Sequence, residues 1–220
     1  GTAGGNDMSA PSPVTDGKSV WFLSGNGRLA AFTAAGKALW TRDLAHDYGE
    51  FAVFFGYSSS PLLYDGKLYV LVLQNDKPGS YNLNRDRKEP LESYLLALDP
   101  ATGKTLWRHV RDTNAESQSR ETYVTPYPFE YDGRSELIIA GGECVTSHNP
   151  ATGAELWRWW FTPGDRQTLQ HNVPTPVAVD DLLFIIRPEH RPLFALRTDG
   201  KGSLDDKAIV WTFQENRCWS

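Results

Sequence analysis

Short apolar runs separated by tight turns organise this chain. Residues 67–73, 136–140 and 182–186 are apolar or alternate in polarity, and an Asp-Gly or Asp-Asp pair precedes each run. Asp-Gly between apolar runs is a strong hairpin signal. No long stretch holds apolar residues at helical spacing, and 14 Pro and 19 Gly interrupt the chain throughout. The pattern predicts an all-β protein built of antiparallel hairpins.

One phrase occurs twice almost unchanged. Residues 99–107 read Asp-Pro-Ala-Thr-Gly-Lys-Thr-Leu-Trp, and residues 149–157 read Asn-Pro-Ala-Thr-Gly-Ala-Glu-Leu-Trp. A shorter copy ends at Trp40, and a degraded copy ends at Trp211. The four tryptophans recur at intervals of roughly 50 to 67 residues, and periods of this order indicate repeated supersecondary units.

A second phrase precedes the first in each repeat. It consists of Ser-Pro or Thr-Pro followed by a turn, and it begins at Ser12, Ser60, Thr125 and Thr175. Proline is tolerated at the start of a strand, where its missing N–H group is not needed. Two phrases that recur in the same order predict a four-repeat array. The predicted repeats are residues 10–41, 58–111, 123–161 and 173–213.

Each repeat is predicted to contain four antiparallel strands, which we name A to D. The Asp-Gly turn joins strands A and B, and the Pro-Ala-Thr-Gly turn joins strands C and D. Such a unit is typical of a β-propeller blade, so residues 1–220 are predicted to form a single partial propeller of about four blades. A tryptophan in strand D would fill the space between blades, where one aromatic side chain buries about 150–250 Å². The predicted blade-docking residues are Trp40, Trp107, Trp157 and Trp211.

The Asp-Pro-Ala-Thr-Gly-Lys-x-Leu-Trp phrase resembles the repeat of pyrroloquinoline-quinone-like, tryptophan-docking β-propellers, and the resemblance covers residues 10–213. Residues 57–99 are similar to uncharacterised exported propellers of environmental bacteria. The resemblance implies a periplasmic or secreted protein and a ring of about seven or eight blades, of which this chain supplies roughly half. The missing blades are expected from the rest of a longer chain or, as the less favoured alternative, from a second copy.

Members of this superfamily differ in function, so the fold alone does not choose among them. Some are quinoprotein alcohol or sugar dehydrogenases that hold a quinone and Ca²⁺, and others, similar to the outer-membrane assembly lipoprotein, are scaffolds without a cofactor. Two adjacent cysteines mark the alcohol-dehydrogenase branch, whereas Cys144 and Cys218 are far apart in this chain. This departure counts against the enzyme. Separate buried thiols are favoured over one disulfide.

Charge and hydropathy argue against two further classes of protein. The formal net charge is −5 and no basic run occurs, which argues against nucleic acid as a partner. No run approaches about 18 apolar residues, so no transmembrane segment is predicted. The chain also shows no signal-peptide pattern, so the expected export depends on the resemblance alone.

No metal site and no catalytic residue is predicted. The histidines lack the tight spacing of a zinc site, and the sequence contains no Cys-x-x-Cys. His148 takes the position of Leu98 in the preceding repeat, which favours a structural role. The chain also lacks a Gly-x-Ser-x-Gly elbow and a cysteine-nucleophile signature.

The predicted loops differ in length between the two rims of the propeller. The A–B and C–D turns are short, whereas D–A connections span residues 41–59, 111–124 and 161–174. One B–C loop spans residues 75–92, and its polar composition with few anchors predicts a mobile segment. Loops on a rigid scaffold carry function. We therefore predict that the long-loop rim binds a protein, peptide or glycan.

Side chains at the mouth of the propeller axis should lie just before each strand A or just after each strand B. The candidate binding residues are Asn6, Asp7, Tyr57, Gln74, Tyr123, Glu143, His171 and Arg187. The alternative, that these polar groups only satisfy the backbone and water at a propeller entrance, stays open.

Two functional hypotheses follow. The favoured one is a non-catalytic exported binding module or scaffold that acts through its long-loop rim and needs no cofactor. The alternative is a fragment of an alcohol or sugar dehydrogenase that depends on pyrroloquinoline quinone and Ca²⁺. In that case the quinone would lie at the axis, and Glu143 or Asp7 would accept the alcohol proton. At this stage the chain is not assigned to an enzyme class.

Overall fold

The structure is a computed structural model that describes residues 10–161, 171–187, 192–198 and 201–214. The chain divides into two compact units, Gly1–Asp112 and Thr113–Ser220. Each unit contains two sheets, and each sheet corresponds to one predicted repeat. We call these sheets blades 1 to 4 in chain order.

The first unit contains blades 1 and 2. Blade 1 consists of β1 (Val14–Thr15), β2 (Ser19–Leu23), β3 (Arg28–Thr33) and β4 (Ala38–Asp43). After helix α1 (Leu44–Tyr48), blade 2 consists of β5 (Leu62–Tyr64), β6 (Lys67–Val72), β7 (Tyr94–Leu98) and β8 (Thr105–Val110). Strands that follow one another in the chain are antiparallel neighbours in both sheets. A 3₁₀ turn, Ser80–Asn82, lies in the loop between β6 and β7.

The second unit contains blades 3 and 4. Blade 3 consists of β9 (Tyr127–Tyr131), β10 (Arg134–Gly141), β11 (Cys144–His148) and β12 (Glu155–Trp160). Blade 4 consists of β13 (Val177–Val179), β14 (Leu182–Ile186), β15 (Leu193–Arg197) and, after the short β16 (Gly202–Leu204), β17 (Ile209–Phe213). Two further 3₁₀ turns lie at Ser117–Arg120 and Asp206–Ala208.

The prediction of an all-β fold with four antiparallel blades is confirmed. The described residues contain one α-helix, which is only five residues long. None of the helices in the described ranges is long and apolar enough to cross a bilayer.

Blade 3 departs from the predicted four strands because β16 joins its outer edge. β16 pairs with β12 in parallel, with Trp157 opposite Gly202 and Trp159 opposite Leu204. The fourth repeat lacks the Pro-Ala-Thr-Gly turn, and its longer C–D connection supplies this additional strand. An edge strand exposes unpaired N–H and C=O groups, and the added strand covers part of that edge.

The repeated C–D turn is stabilised by the side chain of its own first residue. Asp99 Oδ1 accepts hydrogen bonds from the N–H groups of Ala101 and Thr102 at 2.8 and 3.0 Å, and Asn149 makes the equivalent pair of bonds in blade 3. Gly103 then closes the turn at a φ of 71°, a conformation that glycine adopts without the steric cost of a Cβ atom. The residues of the repeated phrase therefore stabilise this turn by themselves, without contacts from elsewhere in the chain.

The same turn receives a tryptophan from the preceding blade. In the first unit, the indole N–H groups of Trp40 and Trp21 both donate to Pro100 O at 2.9 Å. A Cβ atom on Gly103 would lie 2.7 Å from Trp40 Cε3, so the indole packs against the glycine itself. Arg42 Nη1 also donates to Gly103 O at 2.9 Å. These contacts dock blade 1 on blade 2.

The four repeat tryptophans occupy one register position. Each pairs with a small residue of strand C, and a bulge lies beside that pair in every blade. Trp157 is 1% exposed, and Trp40 and Trp107 are half-buried. Trp211 is 42% exposed, so the prediction of burial is wrong for this residue. It lies on the outer strand of blade 4, and no later blade covers it within the described ranges.

The Ser/Thr-Pro phrase has a second role besides starting a strand. The N–H group of Ser12 donates to Ser60 Oγ at 3.0 Å, and the N–H group of Thr125 donates to Thr175 Oγ1 at 3.2 Å. In each unit, the hydroxyl group of one phrase therefore hydrogen-bonds the equivalent residue of the neighbouring blade.

The second unit packs its two blades through a different aromatic contact. Trp159 of blade 3 is buried and meets Phe194 of blade 4 edge to face, with ring centroids 5.1 Å apart. The Trp157 indole N–H instead donates within its own blade to Glu136 Oε2 at 2.8 Å. Ser147 Oγ donates to the same oxygen at 2.6 Å. The buried carboxylate of Glu136 thus has donors supplied by its own sheet.

His148 and Cys144 are internal residues of blade 3. Both are fully buried, and Cys144 is a thiol. His148 Nδ1 lies 3.1 Å from Gly153 O, and its Nε2 lies 3.0 Å from Thr146 Oγ1. Both contacts fit the structural role that the repeat alignment predicts for His148, and that role stays a prediction. Cys218 lies outside the described residues.

We predict that Gly103→Ala destabilises the protein more than Gly66→Ala, measured as the free energy of unfolding in urea. Both glycines have a left-handed backbone, with φ of 71° and 67°, but a Cβ at position 66 would meet nothing within 4 Å. Gly66→Ala should therefore cost only the backbone term of about 1–2 kcal/mol. Gly103→Ala should cost about 1–3 kcal/mol more, because it overpacks the contact with Trp40. Equal losses in the two variants would contradict the docking role of Gly103.

Candidate functional site

A cleft of about 430 Å³ opens on the long-loop rim of the first unit. Three segments line it: the B–C turn of blade 1, the D–A connection that follows β4, and the B–C loop of blade 2. Its lining includes charged and aromatic residues that could contact a ligand, among them Arg28, Asp43, Glu50, Phe51, Tyr57 and Tyr81. Ligand pockets in proteins typically measure about 300–1,000 Å³, and this cleft falls within that range.

Helix α1 forms one wall of the cleft. Asp43 caps its N-terminus, since Asp43 Oδ1 accepts a hydrogen bond from the N–H group of His46 at 2.9 Å. Leu44 is fully buried, and its N–H group donates to Gly27 O at 2.8 Å. A Cβ atom at Gly27 would lie 2.8 Å from Ala45 N, so only glycine permits this close approach of the turn to the helix.

Charged and aromatic side chains fix α1 to blade 2. Arg42 Nη2 lies 2.6 Å from Asp47 Oδ2, and Arg42 Nη1 donates to Thr105 Oγ1 at 2.8 Å. The guanidinium of Arg108 lies over the ring of Tyr48, 5.0 Å from its centroid. Burial opposes ionisation of Asp47, but the hydrogen bonds from Arg42 and His46 outweigh it and lower the pKa of Asp47. The helix wall is therefore held in place.

Aromatic rings form the apolar part of the cleft. The rings of Phe51 and Tyr57 lie 4.6 Å apart, and Tyr57 OH donates to Leu71 O at 2.9 Å. Burial raises the pKa of Tyr57 well above its ordinary value, so the phenol stays a hydrogen-bond donor. Tyr81 meets Phe54 edge to face, with centroids 5.3 Å apart. The aromatic walls thus come from two different loops.

The B–C loop of blade 2 is anchored to the D–A connection by reciprocal hydrogen bonds. Glu50 N–H donates to Asn84 Oδ1 at 3.0 Å, and Asn84 Nδ2 donates to Glu50 O at 2.7 Å. Asn84 N–H also donates to Glu50 Oε2 at 2.9 Å. Residues 75–92 therefore have anchors that their polar composition did not reveal.

Three non-glycine residues in this loop have a left-handed backbone. The φ angles of Tyr81, Asn82 and Asn84 are 54°, 66° and 50°. Asparagine tolerates this conformation, whereas a bulky residue such as tyrosine does so only when its surroundings hold it. Asn75 supplies part of that support, because its Nδ2 donates to Tyr81 OH at 3.2 Å and its Oδ1 accepts from Ser80 Oγ at 3.1 Å.

The structure places two predicted binding residues in the first unit. Tyr57 is among the residues that line the cleft. Gln74 is buried and bridges two loops, since its Oε1 accepts from Ala52 N–H and its Nε2 donates to Glu92 O, both at 2.9 Å. Gln74 therefore holds these two loops together and does not itself line the cleft. Asn6 and Asp7 lie outside the described residues.

The other four predicted residues lie in the second unit. The rings of Tyr123 and His171 are 5.7 Å apart, and burial lowers the pKa of His171. Glu143 and Arg187 follow the ends of β10 and β14, the positions predicted for them just after strand B. Their side chains are nevertheless buried, with only 4% and 9% exposed. A binding role for these residues stays a prediction.

Sequence reasoning missed Asp43, Glu50 and Tyr81 as cleft residues. All three lie in connections that were recognised as long, but nothing local marks them. Asp43 is the last residue of strand D (β4) and directly precedes α1, which is a weak N-cap signal. The pairing of Glu50 with Asn84 is a tertiary contact, and no sequence motif indicates it.

Repeated antiparallel blades joined by docked tryptophans define a β-propeller of the pyrroloquinoline-quinone-like class. The chain belongs to the PQQ_2 family, which is described as "Outer membrane protein assembly factor BamB" and whose sequence model matches residues 3–212.

Two proteins illustrate the range of relatives. BamB from Moraxella catarrhalis has 18% sequence identity and a TM-score of 0.54, with 94% of this chain and 53% of that chain covered. Quinohemoprotein alcohol dehydrogenase from Comamonas testosteroni has 14% identity and a TM-score of 0.61, with 96% and 36% covered. In sequence, the latter enzyme is 33% identical over 76 residues, which is 32% of this chain and 10% of the enzyme. The chain therefore spans about half, or less, of these relatives.

The axis-mouth residues predicted from the sequence do not by themselves make up a calcium site. Ca²⁺ takes about six to eight oxygen ligands. Among the axis-mouth residues predicted from the sequence, the described part of the chain supplies one carboxylate, Glu143, and this side chain is buried. The adjacent cysteines of the alcohol-dehydrogenase branch have no counterpart at Cys144, which is followed by Val145.

We predict that Asn84→Ala loosens the cleft without unfolding the blades. The substitution removes both side-chain bonds to Glu50, and each of these part-buried bonds contributes about 0.5–1.5 kcal/mol. Amide hydrogen exchange at residues 50–53 and 76–84 should become faster, while exchange in β6 and β7 stays slow. Asn82→Ala is the matched control, because Asn82 also has a positive φ but does not bond the D–A connection. Identical exchange in the two variants would refute the anchoring role.

Proposed function

We propose that this protein is a non-catalytic exported β-propeller module that binds a protein partner through the long-loop rim. The observation that carries the proposal is the cleft itself. Loops from two blades converge there, and hydrogen bonds, an ion pair and aromatic contacts hold them in one arrangement. A concave site with aromatic walls and a few placed polar groups is the usual form of a binding site.

The family supports a protein as the kind of partner. Its description names an assembly factor of outer membrane proteins, and an assembly factor acts on other proteins. The same description supports the location that we propose for this protein, which is periplasmic or secreted. Because the chain covers only 53% of BamB from Moraxella catarrhalis, we further propose that it works within a larger ring of about seven or eight blades.

A second candidate function is that of a quinone-dependent alcohol or sugar dehydrogenase fragment. It is favoured by the 33% identity over 76 residues to a quinohemoprotein alcohol dehydrogenase. A dye-reduction assay of the longer protein with pyrroloquinoline quinone, Ca²⁺ and a panel of alcohols and sugars separates the two functions. The scaffold function predicts no dye reduction. Reduction that depends on both quinone and Ca²⁺ would establish the enzyme.

The binding function is tested by placing a photo-crosslinking amino acid at either rim in the native host. Position 46 lies at the cleft, where the His46 side chain is 85% exposed, and position 16 lies in an exposed A–B turn of the opposite rim. We expect one discrete protein adduct from position 46 and none from position 16. Tyr81→Ala should remove the adduct by deleting an aromatic wall of the cleft. Adducts from position 16 alone would show that the partner binds the short-turn rim.

A further inference from the structure

The cleft carries an excess of negative charge. Its lining contains the carboxylates of Asp43 and Glu50 and a single guanidinium, that of Arg28. Within the ranges that the structure describes, neither carboxylate takes part in an ion pair. Arg28 lies opposite Asp43 in the pairing of β3 with β4 but forms no ion pair with it. A basic side chain of a ligand would therefore meet two carboxylates that have no ion-pair partner among the described residues, in a lining with more acidic than basic groups.

Both carboxylates are held in position by the backbone. Asp43 Oδ1 accepts the hydrogen bond of the His46 N–H group at 2.9 Å, and Glu50 Oε2 accepts that of the Asn84 N–H group at 2.9 Å. Each bond uses one carboxylate oxygen, and the other oxygen of each group has no donor among the described residues. Acceptors that are already ordered lose less conformational entropy when they bind a ligand.

The carboxylates share the cleft with aromatic rings. Tyr81 is fixed by its edge-to-face contact with Phe54 and by the hydrogen bond from Asn75 to its hydroxyl group. The face of an aromatic ring attracts a cation. A guanidinium can stack on such a ring and at the same time donate two hydrogen bonds to a carboxylate. This combination suits arginine better than lysine.

We infer that the cleft recognises a basic side chain, arginine above lysine, from an extended segment of the protein partner. The cation lies between Asp43 and Glu50 and against the ring of Tyr81. The inference rests on the proposed binding function, because it names the group that the partner presents to the same site.

The test is a nuclear magnetic resonance titration of the full chain with capped pentapeptides. The probe is acetyl-Gly-Ser-Arg-Ser-Gly-amide, and three further peptides carry lysine, citrulline or phenylalanine at the central position. Citrulline has the shape of arginine without its charge. We expect the arginine peptide to shift the amide signals of Gly25, Gly27 and Tyr81, the lysine peptide to bind more weakly, and the citrulline peptide to bind about tenfold more weakly or not at all.

Isosteric variants remove the charge and keep the fold. Asn is itself a good N-cap, so Asp43→Asn preserves the start of α1, and Glu50→Gln preserves an oxygen for the Asn84 N–H group. Each variant should weaken the arginine peptide about tenfold. Asp86→Asn is the matched control, because Asp86 is an exposed acid of the neighbouring B–C loop of blade 2 that does not line the cleft, and it should leave the affinity unchanged.

The outcomes separate this inference from the proposed function. The inference fails if the citrulline or phenylalanine peptide shifts the cleft signals as strongly as the arginine peptide and the two isosteric variants bind normally. In that case the basic side chain is the wrong ligand group, but the cleft remains a peptide-binding site. If no peptide shifts any cleft signal, and position 46 gives no crosslinked adduct, both proposals fail. Equal weakening by Asp86→Asn would show a non-specific charge effect and would overturn the inference.

Discussion

The contact of Trp40 with the Pro-Ala-Thr-Gly turn of the next blade is the constraint on which the first unit depends. The indole N–H group reaches Pro100 O, and the ring packs on Gly103, where no other residue leaves room for it. Arg42 extends the same contact with its bond to Gly103 O and its ion pair with Asp47. The docking of two blades is therefore continuous with the helix that forms one wall of the cleft.

This continuity explains how long loops can form a defined site. The D–A connection is held at its start by the docked blade and at Glu50 by Asn84 of the B–C loop. Asp43 and α1 lie between these two fixed points, and Phe51 follows the second one directly. Long loops are usually the variable part of a propeller, but here tertiary hydrogen bonds give them the order that a binding surface requires.

The sequence was most informative where the interactions are local. The Asp99 turn, the hairpins and the register of the tryptophans all depend on residues a few positions apart, and each of these features was predictable from repeated phrases. Burial of Trp211 was predicted wrongly because it depends on what covers the strand and not on the strand itself. The pairing of Glu50 with Asn84, the added strand β16 and the burial of Arg187 are likewise tertiary results without a local signal.

The central claim is that blade docking through Trp40 maintains the cleft, and amide hydrogen exchange of Trp40→Ala tests it most directly. The account predicts faster exchange at the C–D turn of blade 2, in α1 and in residues 76–84, because these segments are linked through Pro100, Arg42 and Asn84. Strands β6 and β7 should stay protected. Faster exchange confined to β4, with the cleft loops unchanged, would contradict the claim.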